Sequence, residues 1–279
     1  MGSPGTVNID DPAFPVRLTK AWHAQATFLV PYGLFLDWRN EFPKALLADK
    51  YDEFLPDQYL PSLVDGNVQL TFFYVNHLSS DLGSYFHAGI LVRVVPRSIP
   101  NALPGYYIGL EVVDQGFTWI AGYRIWGYAK VLGKIDVSGS VLSEDKNLKV
   151  TVTLPKQQPD RDKESPSYPF DPRTCTERIF TLTIPRPDGS VIPYERDVYS
   201  HTLHGPRTQP VKFPCETRFR RSSFEERVQP RSQGVSVQFH TESTYGAWLA
   251  TLPMDRLAWP EVRWAPHMSG QWSKWTKVG

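Results

Sequence analysis

The sequence contains few cysteines, no long hydrophobic run and no excess of charge of either sign. Its 279 residues include only Cys175 and Cys215, which are too few for a disulfide framework. One bridge is possible, but two free thiols in a reducing compartment is the simpler interpretation. No apolar segment approaches the roughly 18 residues of a membrane span, and no apolar signal-peptide core stands near the start. These features predict a cytoplasmic protein that neither spans a membrane nor enters the secretory route.

The balance of charges also argues against some classes of binding partner. The 30 basic and 29 acidic residues give a formal net charge of +1, so nothing favours nucleic acid or an anionic membrane surface. The pair His201 and His204 has no third ligand at metal-site spacing. Phosphate-binding glycine loops, a Gly-x-Ser-x-Gly motif and a zinc-protease helix are missing from the sequence. We therefore expect no nucleic-acid or membrane partner, no cofactor and no metal.

Aromatic residues and proline are abundant. Aromatics make up 13% of the chain, with 9 Trp, and there are 25 Pro. This composition favours strands joined by tight turns over a helix bundle. We found no internal repeat and no break typical of a linker. The sequence therefore predicts one domain over residues 1–279, with an extended or flexible start at 1–14.

Hydrophobic periodicity predicts a mostly β chain. Residues 1–20 are expected to be extended, and Pro43 begins the best helix candidate, which runs to Tyr51. The proline-rich, polar segment 155–177 is predicted to be a surface loop, and 187–190 a hairpin turn. Period-two alternation or apolar runs predict strands at 67–72, 85–95, 106–113, 118–121, 135–142, 147–154, 178–184 and 235–240.

Lys130 is the residue with the most distinctive surroundings. The chain is predicted to turn after Asp114, return as a strand, and lead through Tyr128 into Lys130, which is followed by Val131. Poor solvation among aromatic and aliphatic neighbours disfavours an ammonium and favours a free amine. A free amine attacks a carbonyl and forms an imine, which acts as an electron sink. The alternative is a lysine that extends past these neighbours to solvent.

The segment before Lys130 resembles the signature of the acetoacetate decarboxylase family. Six positions fit that signature in register: Gly122, Ile125, Trp126, Gly127, Tyr128 and Lys130. Residues 12–15 and 82–85 resemble two further family segments, so the likeness covers 11–135 in patches. The resemblance implies an antiparallel β barrel or cone with few short helices and a closed apolar pocket, often in a homo-oligomer. It also implies that Lys130 forms the imine through which a β-keto acid loses carbon dioxide.

The sequence departs from the family pattern around this lysine. Val131 replaces a second signature lysine, Arg124 replaces a glutamate and Ala129 replaces a proline. Two places after the tyrosine, where the family has an acidic residue, this sequence has His87. In gapless register a pocket glutamate falls at Phe72. The family's pocket arginine falls near Ala24, so a larger and less charged carbonyl compound should fit better than a small keto acid.

Three residues are candidates for catalysis. Lys130 is the predicted amine, and His87 is either a general acid–base or a buried structural histidine. Glu111 is either a substitute acid or an exposed strand residue. Arg124 faces either the pocket or a surface partner. The residues predicted to line a substrate pocket are Phe72, Tyr85, Arg124, Trp126 and Tyr128.

Three functions remain open at this point. The first is a lyase-type enzyme of specialised metabolism that uses a Lys130 imine for decarboxylation, dehydration or aldol-type cyclisation. The second is a cyclase or isomerase that retains the pocket without an imine, with Lys130 as an electrostatic stabiliser. The third is a non-catalytic module that binds an apolar small molecule.

Overall fold

The computed structural model describes residues 8, 14–43, 54–99, 101–128, 130–141, 147–160, 163–165, 167–187, 191–193, 198–204, 210–230, 234–254, 257–273 and 276–277. Strands dominate these residues, as the sequence predicts. In chain order they are β1 Val16–Pro31, β2 Tyr59–Pro61, β3 Leu63–Val64, β4 Asn67–Ser80, β5 Tyr85–Pro96, β6 Gly105–Val113, β7 Lys130–Leu132, β8 Lys134–Ser138, β9 Asn147–Pro155, β10 Cys175–Pro185, β11 Val191–Pro193, β12 Val198–His204, β13 Pro210–Pro230, β14 Ser236–Phe239, β15 Ala258–Trp272 and β16 Thr276–Lys277.

Helices are short. They are α1 Tyr32–Asn40, α2 Gly116–Ala121 and α3 Thr244–Leu249, with a π-helical turn at Gly122–Trp126 and a 3₁₀ turn at Pro172–Thr174. The strand predicted at 118–121 is wrong, because these residues belong to α2. Residues 44–51 of the predicted helix, and 188–190 of the predicted hairpin turn, lie outside the described residues. The sequence reasoning did not predict α1.

The larger sheet has the order β2-β5-β4-β1-β15-β13-β12-β6-β7, and β5 also pairs with β6. Most of these pairs are antiparallel, but β6 lies parallel to both β7 and β12. The β5–β6 pairing brings the two ends of the strand order back together, which gives the sheet a cone-like form. The predicted mostly β architecture with few short helices is confirmed.

A smaller sheet, β14-β10-β9-β8, covers one face of the larger one. Alternate residues of the long strands point to this face because side chains in a strand alternate between sides. Phe72 lies here, with its ring 5.5 Å from that of Phe28 and 5.3 Å from that of Phe180 in the smaller sheet. This layer forms the largest hydrophobic core.

The opposite face of the larger sheet carries polar groups among aromatic residues. The registers pair Val75 with His87, Gly89 with Glu111, and Glu111 with Lys130. Residues directly opposite each other share a face, so these side chains point to the same side. Helix α2 and the π-helical turn that follows it pack against this side.

The connection between β9 and β10 lies against α2. The Tyr168 ring packs 5.7 Å from that of Trp119, and Phe170 joins the same cluster. The Gln158 side chain donates to the Leu132 carbonyl and accepts from its amide, each at 2.8 Å. These contacts cover the free edge of β7.

None of the helices among the described residues has the length and apolar character that a membrane span requires.

Candidate active site

The π-helical turn positions Lys130 at the start of β7. Gly127 ends this turn with a φ of 73°, a left-handed conformation that glycine adopts without steric cost. The chain then joins β6 in parallel, which places Lys130 opposite Glu111. The indole N–H of Trp119 donates to the Lys130 carbonyl at 3.1 Å and anchors the strand to α2. The turn that ends at Gly127 therefore places Lys130 at the edge of the sheet.

Lys130 and Glu111 form a buried ion pair. Lys130 Nζ lies 3.1 Å from Glu111 Oε1, and the side chains are 4% and 1% exposed. His87 Nε2 lies 2.9 Å from the same oxygen. Glu111 Oε2 is buried and accepts no hydrogen bond from any residue that the structure describes. One carboxylate oxygen thus lies close to both the amine and the imidazole nitrogen.

The electrostatics of this cluster follow from burial and from close charges. Burial raises the pKa of Glu111, but Lys130 and then His87 oppose burial, and the net pKa is lowered from its ordinary value. Burial lowers the pKa of His87, with Lys130 acting in the same direction and Glu111 against it. At neutral pH the cluster therefore contains an ionised Glu111 and a neutral His87.

Aromatic rings surround the amine. Lys130 Nζ lies over the rings of Tyr85 and Tyr128, at 5.6 and 6.0 Å from their centroids. The Phe73 ring packs edge-on against His87, with centroids 4.6 Å apart. Burial, followed by the Glu111 charge, raises the pKa of Tyr85 well above its ordinary value, so its phenol is neutral. Such surroundings exclude water and strengthen the charge interactions within.

Gly122 packs directly against the Lys130 side chain. A Cβ at this position would lie 2.5 Å from Lys130 Cδ, closer than real Cβ contacts come, and 3.1 Å from Nζ, which is tighter than most of them. Only a residue without a side chain leaves the amine where it is. Gly122 is therefore a positioning residue for Lys130.

The structure brings together five of the residues singled out in the sequence: Lys130, His87, Glu111, Tyr85 and Tyr128. The alternative of an exposed Glu111 is wrong, because its side chain is almost completely buried. Trp126 lies behind this group. Its ring stacks on Tyr128 at 5.9 Å and lies 6.1 Å from Trp272.

Two of the predicted pocket residues do not reach the cluster. Phe72 points to the opposite face of the sheet, because the neighbouring Phe73 is the residue that faces His87. The Arg124 guanidinium donates to the Glu164 carbonyl at 3.1 Å and so bonds to the β9–β10 connection. Arg124 therefore does not reach the amine, and its partner is a backbone carbonyl of the same chain.

Sequence reasoning missed His77, which is 3% exposed and stacks on Tyr85 with ring centroids 4.1 Å apart. The β4–β5 register pairs these two residues directly, as its last pair before the connection at 78–84. Extending the alternation of β4 to residue 77 would have placed this histidine on the face of Phe73, but its pairing with Tyr85 depends on the length of that connection. Among the described residues, no group of three His, Cys, Asp or Glu side chains could hold a metal ion.

These features define a β cone with a lysine–carboxylate pair buried in its aromatic wall. The family model described as acetoacetate decarboxylase matches residues 48–159, which include the cluster. A search of curated proteins finds no match.

Solved structures share the fold. An acetoacetate decarboxylase from Legionella pneumophila subsp. pneumophila str. Philadelphia 1 superposes with a TM-score of 0.57 at 14% identity, over 100% of this chain and 92% of that one. An acetoacetate decarboxylase-like enzyme from Sphingomonas wittichii RW1 gives 0.57 at 13% identity, over 100% of both chains.

A third similar structure is the enduracididine biosynthesis enzyme MppR, complexed with the condensation product of pyruvate and imidazole 4-carboxaldehyde. It gives a TM-score of 0.53 at 11% identity, over 94% of this chain and 88% of that one. The family match and the shared fold agree with the predicted resemblance. Residues 48–159 thus match the acetoacetate decarboxylase family, and the chain shares the fold of solved members of that family.

Proposed function

We propose that this protein is a lyase-type enzyme in which Lys130 forms a Schiff base with a ketone or β-keto acid. The observation that carries the proposal is the 3.1 Å contact between Lys130 Nζ and Glu111 Oε1 in a buried site. An amine must lose its proton before it can attack, and Glu111 is positioned to accept that proton. The match of residues 48–159 to the acetoacetate decarboxylase family supports an enzyme of this type.

The reaction begins with transfer of a proton from the Lys130 ammonium to Glu111. The free amine attacks the substrate carbonyl carbon to give a carbinolamine, whose hydroxyl leaves as water after Glu111 returns the proton. The resulting iminium withdraws electrons from the neighbouring carbon. That carbon then loses carbon dioxide or a proton to give an enamine, and neutral His87 accepts or returns protons at this stage. Water finally releases the product and restores the amine.

The charges around the amine favour a weakly charged substrate. Glu111, Tyr85 and Tyr128 lie beside the Lys130 amine, and none of these three side chains carries a positive charge that would bind a substrate carboxylate. Arg124 is bonded to Glu164 instead. Deprotonation at a carbon next to the imine, followed by aldol-type addition or dehydration, needs no carboxylate on the substrate. The condensation product of pyruvate bound to MppR supports aldol-type addition on this fold.

A second function is favoured by the same ion pair. An ionised Glu111 stabilises the Lys130 ammonium, which is a hydrogen-bond donor and not a nucleophile. In this case Lys130 would stabilise the negative charge of an enolate in an isomerase or cyclase without a covalent intermediate. The two functions differ in whether a carbon–nitrogen bond forms at Lys130.

Reductive trapping distinguishes them. The protein is incubated with 2,4-pentanedione and then borohydride, and the adduct is located by peptide mass. Imine chemistry predicts a single adduct at Lys130 that disappears in Lys130→Ala. Lys134→Ala is the matched control, because Lys134 lies four positions further on and is 45% exposed. Labelling of surface lysines alone would rule out the imine and leave the enolate function or simple binding.

A further inference from the structure

His77 is a buried histidine whose two ring nitrogens have no hydrogen-bond partner among the residues that the structure describes. Its side chain belongs to a residue that is only 3% exposed. Buried polar atoms are nearly always hydrogen-bonded, and one left unsatisfied costs about 1–3 kcal/mol. The carbon atoms of the ring are well packed, so the lack of hydrogen-bond partners for its two nitrogens requires an explanation.

The position of His77 connects it to the amine site. Its ring stacks on Tyr85 at an interplanar angle of 9°, and Tyr85 is also a neighbour of Lys130 Nζ. The His77 and His87 rings lie 5.8 Å apart. Tyr85 and His87 thus each link His77 to the Lys130–Glu111 pair. A substrate held by Lys130 therefore has His77 within the same aromatic wall.

The charge state of His77 defines what it can bind. Burial lowers its pKa well below the ordinary value, and His87 and Lys130 act in the same direction. A neutral imidazole presents one N–H donor and one acceptor nitrogen. An acceptor lone pair repels a carboxylate, whereas a hydroxyl group can donate to it, and a carbonyl or hydroxyl oxygen can accept from the N–H.

We propose that His77 binds an uncharged hydroxyl or carbonyl oxygen of the substrate, so that the substrate is a ketone with a second neutral oxygen function. This inference rests on the proposed function, because Lys130 must hold the carbonyl that reacts. His77 then determines specificity and leaves the chemical step to Lys130. In the described part of the chain, no third metal ligand joins these histidines, so a small-molecule oxygen is the occupant that fits.

The test compares methyl ketones that differ only by a hydroxyl group. The probes are 4-hydroxy-2-butanone, 5-hydroxy-2-pentanone and 6-hydroxy-2-hexanone, each against the parent ketone without the hydroxyl. Borohydride trapping at Lys130 is measured against ketone concentration, which separates half-saturation from maximal rate. The variants are His77→Phe, which keeps an aromatic ring for stacking, and His77→Gln, which keeps a donor and an acceptor. His267→Gln, at an exposed histidine, is the control.

We expect at least one hydroxyketone to half-saturate the native protein at a concentration about 5- to 10-fold lower than its parent, as one net hydrogen bond allows. His77→Phe should remove this difference without changing the maximal trapping rate, and His77→Gln should restore part of it. The inference is overturned if no hydroxyketone is preferred, or if the preference survives in His77→Phe. If no ketone labels Lys130 at all, the proposed function fails and this inference fails with it.

Discussion

Lys130 and Glu111 are direct neighbours in the parallel register of β7 and β6, and their charged atoms lie 3.1 Å apart in the interior. Each charge is tolerated because the other is present. A buried pair of this kind adds little net stability compared with apolar residues, but removal of one partner leaves an uncompensated charge. The pair therefore couples the stability of the fold to the state of the amine.

A double-mutant cycle measures this coupling. We expect Glu111→Gln and Lys130→Met each to lower the free energy of unfolding by about 3 kcal/mol at neutral pH, since each leaves an unpaired buried charge. The double variant should lose about 2 kcal/mol less than the sum of the two single losses. Urea denaturation followed by tryptophan fluorescence gives these values. Additive losses would mean that the two charges do not interact in solution.

Gly122→Ala should displace the amine while the fold is retained. The added methyl group would overlap Lys130 Cδ, and the lysine side chain must move away from Glu111 to make room. Because small misplacements of reacting groups are costly, we expect the rate of borohydride trapping at Lys130 to fall about 10- to 100-fold. Peptide mass mapping after a timed reaction provides the measurement.

Gly33→Ala is the matched control, because a Cβ at Gly33 in α1 meets no atom within 4 Å. This variant should trap ketones at the native rate. A Gly122→Ala protein with native trapping would show that Gly122 does not position the amine.

His87→Gln should separate imine formation from proton transfer. His87 contacts Glu111 but does not itself take part in the attack of the amine, so the trapping rate should change less than about threefold. Exchange of the α-hydrogens of 2-pentanone in D₂O reports enamine formation, and it should fall about 100-fold or more without the imidazole. NMR follows this exchange directly. Equal losses in trapping and exchange would assign His87 a structural role.

The pH profile of the same exchange adds a second readout. Burial lowers the pKa of His87, so the neutral base persists below the ordinary titration range of a histidine. The acid limb of native exchange should therefore lie below about pH 6.5. A limb at or above that value would contradict a neutral His87 at neutral pH.

The sequence predicts most of the strands and the burial of the central lysine, for identifiable reasons. The apolar run of β5 and the alternation of β9 are local signals, and the segment around Gly127 and Lys130 is a contiguous motif. In contrast, the sequence predicts a strand where α2 lies, because the apolar residues of α2 suit either structure. The π-helical turn that follows depends on packing under the β9–β10 connection, which no local pattern records.

The pocket predictions failed where they depended on strand register. Gapless alignment with the family predicts Phe72 in the pocket, but a shift of one residue moves a side chain to the other face of a sheet, and Phe73 is the residue that faces His87. Glu111 was predicted as a candidate, but its burial beside Lys130 follows from a pairing between β6 and β7 that spans the whole α2 segment. Long-range pairing of this kind is not visible in the sequence alone.

Asp114 should make the protein less stable as pH rises through the weakly acidic range. Burial raises the pKa of this carboxyl from 3.8 to about 6, although the Phe86 amide donates to it at 2.7 Å and opposes the shift. The folded state thus holds the proton more tightly than the unfolded state, so stability is greatest below about pH 4 and is lost between about pH 4 and pH 6.

Asp114→Asn keeps an oxygen to accept the Phe86 amide and removes the charge. At neutral pH we expect its free energy of unfolding to exceed that of the native protein by about 2 kcal/mol, a value reduced from the full shift because the group is partly exposed. Below about pH 4 the two should agree. Urea titrations at a series of pH values provide the comparison. Asp81→Asn, which removes a carboxylate that accepts the Arg17 amide, controls for the loss of an acidic side chain as such. An Asp114→Asn protein that is no more stable than the native one at neutral pH would show that the carboxylate is well solvated there.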